Sequence, residues 1–590
     1  MHFWQSATDT LPGSLHRLWY SSPPVTAAAI PMRLLSSRRL TGPNLLLDRP
    51  GAVIEVSLAP EEAEAAVAAW REQARRILDA VGWMGEEAAA RLFPGGASLA
   101  ISAPIDALYA ATEVNEWAWA AAAASFDGEA PDITVGRDTL RKAIAEEANP
   151  PLLALRDAAA ARGVAFLWDD QRASVGLGTG SLTWPVDALP DPESIDWNAV
   201  HDVPVALVTG TNGKTTTVRL LAAMASAAGR VPGVTSTDRI EVGGEAIEEG
   251  DFSGPGGART LLRDRRVEIA ILETARGGLL RRGLAVERAD AALVTNIAAD
   301  HLGEFGIHDL PALAAAKLVI ARAVGPDGRI VLNADDPELV AAAGRVAAPV
   351  AWFTLDPGNP QVREHLAAGG EAVYLEDGVL VLDRGGERTT VVRVEEVPVA
   401  FGGAARHNVA NALAAIGLAS ALGLPVAAMA AGLRRIGHHP EDNPGRANLF
   451  ERNGVSILLD YAHNPHGLAA LLDVARSLPA ERRLLVIGQA GDRDEEAIRD
   501  LARAAWPFQA DHYVIKELPE MLRGRRPGEV PAIVEDELLR LGMPPEGLEQ
   551  ADSELEAVEK ALAWARPGDL LVLLVHTQRE EVLDLIRARP

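Results

Sequence analysis

Lys214 and Thr215 sit inside the run 209-TGTNGKTTT-217, which follows the apolar stretch 203-VPVALV-208. A strand, a glycine-rich turn and a helix starting at that turn bring several backbone N–H groups to one point, where the helix N-terminus adds partial positive charge. Such a point binds phosphate. Gly210 and Gly213 permit a tight turn around Thr211 and Asn212, and the Lys214 ammonium can reach outer phosphates. Thr215 and Thr216 open the helix, and the Thr215 hydroxyl can enter a Mg²⁺ shell. The usual eight-residue phosphate loop has glycine where this chain has Val208, so the run is a shorter variant.

Three more side chains decide what chemistry a bound phosphate would serve. Glu273 ends the apolar run 267-VEIAIL-272, and strand C-termini of parallel α/β sheets face the ligand crevice. Its carboxylate either holds Mg²⁺, directly or through water, or simply ends a solvated strand. His301 follows 294-VTNIAAD-300, where a neutral imidazole could ligate a second cation. Lys317 lies in the mostly apolar 312-ALAAAKLVIA-321, a setting from which a lone lysine commonly reaches to water. Only five of the 56 basic residues are lysines, so a retained lysine points to work that a guanidinium cannot do.

The elements that must position these residues are legible as an α/β pattern. From residue 201 onward, continuous apolar runs alternate with alanine-rich helical segments: 203-VPVALV-208, 267-VEIAIL-272, 290-DAALVTN-296, 329-RIVLN-333 and 350-VAWFTL-355. A second series comprises 455-VSILLDY-461, 483-RLLVIG-488, 511-DHYVI-515 and 569-DLLVLLV-575. Runs of this kind form parallel sheets covered on both faces. The turn-rich 437-GHHPEDNPGR-446 separates the series and predicts domains over 201–440 and 441–590. Upstream, 32–58 alternates as strands around Gly-Pro-Asn, and 61–81 has a helical period. The prediction is a small α+β domain over 32–150, a connector or the remnant of a further domain over 151–200, and a flexible leader over 1–31 with Met32 as an alternative start. Nine of twelve tryptophans precede residue 200 and read as core packing rather than a ligand box.

Composition narrows the function. A formal net charge of −26 opposes nucleic acid or an anionic membrane as main partner. The chain has no cysteine, which excludes disulfides and thiolate chemistry and fits a cytoplasmic location. The most apolar helical segment, 107–126, carries Glu113 and Glu116 and reads as a buried helix rather than a membrane span.

The run GTNGKTTT, the strand-end glutamate, Asp300-His301 and the helix lysine together resemble the central domain of the Mur ligase superfamily. The likeness continues through 333-NADDP-337, 406-RHNVANALAA-415, 445-GRANLFE-451 and 460-DYAHNP-465. More specifically, 234–262, 273–303 and 522-LRGRRPGE-529 look like the ligase half of cyanophycin synthetases, and 38-RRLTGPN-44 looks like the start of their N-terminal domain. The resemblance implies a P-loop central domain and a Rossmann-like C-terminal domain. It implies an enzyme that uses ATP and Mg²⁺ to activate a carboxylate as an acyl phosphate, which an amine then attacks.

By the same resemblance Thr215 and Glu273 hold one Mg²⁺ and His301 a second, and Lys317 aligns with a lysine carried as a carbamate. Asn296 and Asn411 match positions near the adenine or metal, with Asn408 a weaker candidate, and Arg446, Asp460 and His463 match residues that close over the nucleotide. Implied partners are a basic amino acid and a carboxylate-bearing acceptor, an Asp- or Glu-containing peptide or a small acid, in a homo-oligomer. Cyanophycin synthetases also carry an ATP-grasp domain before the phosphate loop, where this chain has only residues 151–200. A second reading is therefore a non-catalytic ATP-binding subunit working with a separate ATP-grasp ligase. A P-loop kinase or motor is disfavoured by the second α/β series with 460-DYAHNP-465.

Overall fold

The apolar run before the phosphate loop forms the strand Val205–Thr209, buried at every position. Its side chains alternate between two apolar layers: Val205 and Leu207 join one core, Ala206 and Val208 the other. A strand with no solvated face must be apolar throughout, which is why these runs lack polar alternation. The computed structural model describes residues 32–587 except 127, 130 and 441. The leader expected over residues 1–31 lies outside them.

Val205–Thr209 belongs to an 11-stranded sheet. Seven adjacent strands run parallel, in the order Pro232–Thr235, Ile269–Glu273, Val205–Thr209, Ala289–Val294, Val324–Asn333, Val350–Thr354 and Glu371–Glu376. Antiparallel strands flank both ends. The chain leaves Val205–Thr209 toward one side of the sheet and later returns to Ala289–Val294 on the other. That reversal leaves a crevice at the strand's C-terminal end, where the phosphate loop begins. One face is covered by the helices Lys214–Ala227, Arg406–Ala421 and Val426–Arg435, the other by Pro255–Leu262, Arg276–Arg282 and Leu310–Lys317. Arg406–Ala421 is apolar almost all round, the pattern of a helix sunk in a core.

A second sheet of six strands follows, ordered Asn448–Arg452, Val455–Asp460, Leu570–Leu574, Arg483–Ile487, His512–Lys516 and Leu548–Ala551. Its first pair is antiparallel and the rest are parallel, with apolar cores on both faces.

Upstream, Arg33–Leu40, Gly51–Ser57, Gly96–Ser102 and Ala88–Phe93 form a four-stranded antiparallel sheet in that order. The helices Ala63–Val81 and Leu108–Phe126 pack on it. Trp70 is fully buried here, and its indole N–H donates to Asn115 Oδ1 at 3.0 Å, which leaves no polar atom stranded. The segment after residue 150 contributes the helix Pro150–Ala161 and a three-stranded sheet, and Leu155, Trp168 and Val175 share the apolar core of Ile54, Trp70 and Leu99. Among the described residues, no helix is long and apolar enough to cross a membrane.

Candidate active site

Two glycines set the loop between Thr209 and the helix Lys214–Ala227. Gly210 (φ 144°) and Gly213 (φ 87°) occupy backbone regions that favour glycine, and both lie against neighbouring side chains. A β-carbon would stand 1.8 Å from Thr295 Oγ1 at Gly210 and 2.2 Å from Asn411 Oδ1 at Gly213. The turn is held from the next strand's end: Thr211 N–H donates to Asn296 O at 2.9 Å, Asn212 N–H to Asn296 Oδ1 at 3.0 Å, and Asn296 Nδ2 back to Asn212 O at 3.0 Å. Lys214 Nζ curls over the loop to Gly210 O at 3.1 Å and Thr211 O at 3.0 Å. Gly213 has no side chain to cap the helix, and the first turn holds no acid, so its N–H groups and dipole remain available to an anion.

Glu273 ends its strand 2% exposed, facing the start of that helix. Its Oε2 accepts from Thr215 Oγ1 at 2.9 Å, while its Oε1 is buried with no hydrogen-bond partner. Burial raises its pKa, opposed by the positive charge of Lys214 and the Thr215 hydrogen bond. A buried carboxylate oxygen without a donor is costly, and a hard cation satisfies it. Thr215 and Glu273 therefore fit Mg²⁺.

His301 lies on the loop after Ala289–Val294, among charges from three stretches of chain. Arg493 Nη2 donates to Asp300 Oδ1 at 2.9 Å and lies 3.0 Å from His301 Nε2. On its other side His301 Nδ1 is 3.5 Å from Glu304 Oε1, and His463 Nε2 is 3.5 Å from Asp300 Oδ2. Burial lowers the His301 pKa, which favours the neutral imidazole that can ligate a cation. His301, Glu304 and Asp492 can each offer an atom to one metal ion, these atoms lying within 4.8 Å of one another.

Lys317 closes the helix Leu310–Lys317 at 5% exposure and does not snorkel to water. No hydrogen bond or ion pair to it is found among the described residues. Burial, with the Lys214 charge nearby, pushes its pKa well below the ordinary lysine value, toward a neutral amine.

The remaining predicted residues divide into those facing the loop and those behind it. Asn411 presses on Gly213, whereas Asn408 stands behind, donating to Val399 O at 2.9 Å and accepting from Asn411 Nδ2 at 3.1 Å. The Arg446 guanidinium lies over the Tyr461 ring at 4.7 Å. Asp460 spends both oxygens on its own neighbourhood, accepting from Ala447 and Ala462 N–H at 2.7 Å each. The Ala462 bond braces the Tyr461–His463 turn. Sequence reasoning missed Asn464, whose amide exchanges hydrogen bonds with the Asn212 amide at 3.0 and 3.2 Å, and His466, 2.9 Å from Asn212 Nδ2. It also missed Arg276, which bonds His301 O and Glu304, and Arg493. An arginine in a chain this rich in arginine carries no local signal.

His407, in the first turn of Arg406–Ala421, has its pKa pushed down to about 4 by desolvation, with the charge of His466 acting in the same direction. An unfolded histidine takes up a proton below about pH 6.5, and the folded one does so only near its lowered value. Stability should therefore fall as pH drops through that window, and His407→Gln should flatten the decline in melting temperature measured across it.

Residues 208–419 match the Mur ligase middle domain, and residues 445–574 match the Mur ligase, glutamate ligase domain. The UDP-N-acetylmuramoyl-L-alanyl-D-glutamate--2,6-diaminopimelate ligase of Gloeobacter violaceus is 30% identical over 395 residues, covering 64% of this chain and 73% of the relative. The chain belongs to the Mur ligase family. Among further relatives of this Mur ligase chain, the cyanophycin synthetase of Synechocystis sp. is 40% identical over 391 residues, covering 66% of the chain and 44% of that relative. The chain thus spans less than half the length of the cyanophycin synthetases it matches. A solved structure of E. coli FolC with DHPP and ADP aligns at 23% identity and TM-score 0.49, over 65% of this chain and 89% of that one.

Proposed function

We propose that this chain is an ATP- and Mg²⁺-dependent ligase that joins a carboxylate to the amine of an amino acid. The observation that carries the reading is the Glu273 carboxylate, buried at the phosphate loop with one oxygen on Thr215 and the other unpartnered. Such a shell would hold Mg²⁺ in any ATP-using P-loop; amide synthesis as its use is supported by the match to the Mur ligase domains over residues 208–419 and 445–574.

A carboxylate is a poor electrophile because loss of oxide is prohibitive and an amine would merely neutralise its acid. Transfer of the γ-phosphoryl group of ATP to a carboxylate oxygen gives an acyl phosphate and ADP. The neutral amine then adds to the acyl carbon, the C–O bond to phosphate breaks, and a proton leaves the nitrogen, yielding amide and inorganic phosphate. Most of the acceleration comes from positioning and charge neutralisation. Lys214 is placed to offset charge on the outer phosphates. Mg²⁺, when bound by Thr215 and Glu273, would supply further neutralisation across the phosphates. His301 would hold a second cation, joined by Lys317 as a carbamate: its lowered pKa favours the neutral amine that adds CO₂. Asn296 and Asn411 fix the loop, while Arg446 and His463 close over the crevice and exclude water from the acyl phosphate.

Likeness to the cyanophycin synthetases would make the amine a basic amino acid and the acceptor an Asp- or Glu-containing peptide or a small acid. Since residues 151–200 are all that stands between the N-terminal sheet and the phosphate loop, polymer synthesis would draw on a separate ATP-grasp protein to extend the backbone. The test is ADP release with ATP and Mg²⁺, screened over pairs of amino acids and short acidic peptides. Release should require both an amine and a carboxylate, with amide product seen by mass spectrometry. Nucleotide binding without turnover on any pair would replace the ligase with a non-catalytic subunit.

A further inference from the structure

The loop that carries His301 is gripped by a part of the chain that gives no residue to the phosphate site. Four residues of this loop have left-handed backbones: His301 (φ 51°), Gly303 (φ 95°), Phe305 (φ 53°) and Gly306 (φ 66°). For the two that carry side chains this costs on the order of 1–2 kcal/mol each and persists only where surroundings impose it. Within the loop, two backbone bonds brace the bend, Gly303 N–H to Ile307 O at 2.7 Å and Ile307 N–H to Glu304 O at 3.1 Å. They do not reach Phe305.

The Phe305 ring packs on the central core and lies 5.9 Å from the Arg281 guanidinium, while its carbonyl is held from the N-terminal four-stranded sheet. Arg91 donates from Nη1 to Gly306 O at 2.9 Å and from Nη2 to Phe305 O at 2.6 Å, so one planar guanidinium fixes two successive carbonyls. Its own aim is set from behind: Nη2 also meets Ser98 Oγ at 3.2 Å, Ser98 Oγ donates to Glu55 Oε2 at 2.7 Å, and Arg38 pairs with Glu55 Oε1 at 2.8 Å. Phe93, on the same strand as Arg91, covers Gly306 so closely that a β-carbon there would lie 2.3 Å from its ring. The Phe305 ring lies under the Arg38 guanidinium at 4.9 Å.

We propose that Arg91 is a positioning residue for the candidate cation loop, and that the N-terminal sheet clamps residues 301–306 in the shape that presents His301. The inference rests on the reading of His301 as a cation ligand. Arginine suits the task because its rigid fork spans two acceptors in one plane, whereas a lysine ammonium would satisfy them without fixing their relative direction. Without the fork, Phe305 can relax from its left-handed backbone, and the approach of His301 is left to its contacts with Arg276 and Arg493.

The test compares full-length wild type, Arg91→Ala and Arg91→Lys by two readouts that do not need turnover. The first is hydrogen exchange at the Gly303 and Ile307 amides, which should quicken about tenfold or more in Arg91→Ala, with Arg91→Lys between. The second is Mn²⁺ titration in the presence of ADP, followed by electron paramagnetic resonance, where the weaker of two Mn²⁺ affinities should fall about tenfold while ADP affinity in metal-free buffer is unchanged. Loop exchange and Mn²⁺ binding equal to wild type in both variants would overturn the clamp. If Arg91→Ala fails to fold, Arg91→Lys, which keeps the charge in place, decides by the same readouts. Wild-type amide synthesis stands or falls independently of either result, so a failed clamp and a failed ligase reading are told apart.

Discussion

Lys214→Ala should lower amine-dependent ADP release by about 10²–10³-fold with the chain still folded. Removing one preorganised donor from a charge-stabilising site typically costs that much, and Lys214 brings a full charge as well. Its ammonium is held over the loop by Gly210 O and Thr211 O, so the donor is already in place before phosphate arrives. The substitution removes no core packing, and the melting temperature should move little. Turnover measured with saturating ATP and both substrates checks the first statement, and a thermal melt the second. Lys214→Arg should not rescue, because a planar fork does not reproduce a single point charge bonded to two loop carbonyls.

The largest effect on stability should come from Glu554→Ala. Glu554 and Lys516 are 1% and 0% exposed and form a buried ion pair on the second sheet. Glu554 also accepts from the backbone N–H groups of His576, Thr577 and Gln578 and from the Thr577 hydroxyl, and Lys516 bonds Leu574 O. Burial disfavours both charges: the Lys516 charge and the backbone N–H groups outweigh it at Glu554, whose pKa is lowered to about 2, whereas at Lys516 burial outweighs the Glu554 charge and lowers the pKa. Deleting one member leaves a buried charge uncompensated, at about 3–5 kcal/mol. A lower urea midpoint, followed by circular dichroism, would record it. The same change loosens the 576–578 turn, which leads into Arg579 and its 3.5 Å contact with Asp238.

The nine apolar runs picked from sequence in the two α/β series all fall on strands, because a strand buried on both faces leaves no other reason for so continuous an apolar stretch. Strands at the sheet margins escaped. Glu245–Glu249 is exposed along its whole length, and no burial pattern marks it in the chain. The phosphate loop was legible because all its parts lie within a dozen residues. What surrounds it was not: Arg493 meets Asp300, and Asn464 meets Asn212, across 193 and 252 residues. Of the five lysines, Lys317 and Lys516 are buried, Lys214 and Lys560 are partly buried, and Lys142 makes an exposed pair with Glu146, so scarcity alone does not sort them by setting.

The two-way amide pair between Asn212 and Asn464 makes the nucleotide loop and the second α/β layer parts of one equilibrium. Asn212 lies between the two glycines that shape the loop, so a group seated there acts on the residue that touches Asn464. Linkage then runs equally in both directions: whatever factor a seated nucleotide adds to the joined arrangement, the joined arrangement adds to nucleotide affinity. Cutting the pair, as in Asn464→Ala, would weaken that coupling, leaving the His466–Asn212 and Arg493–Asp300 contacts to carry the remainder.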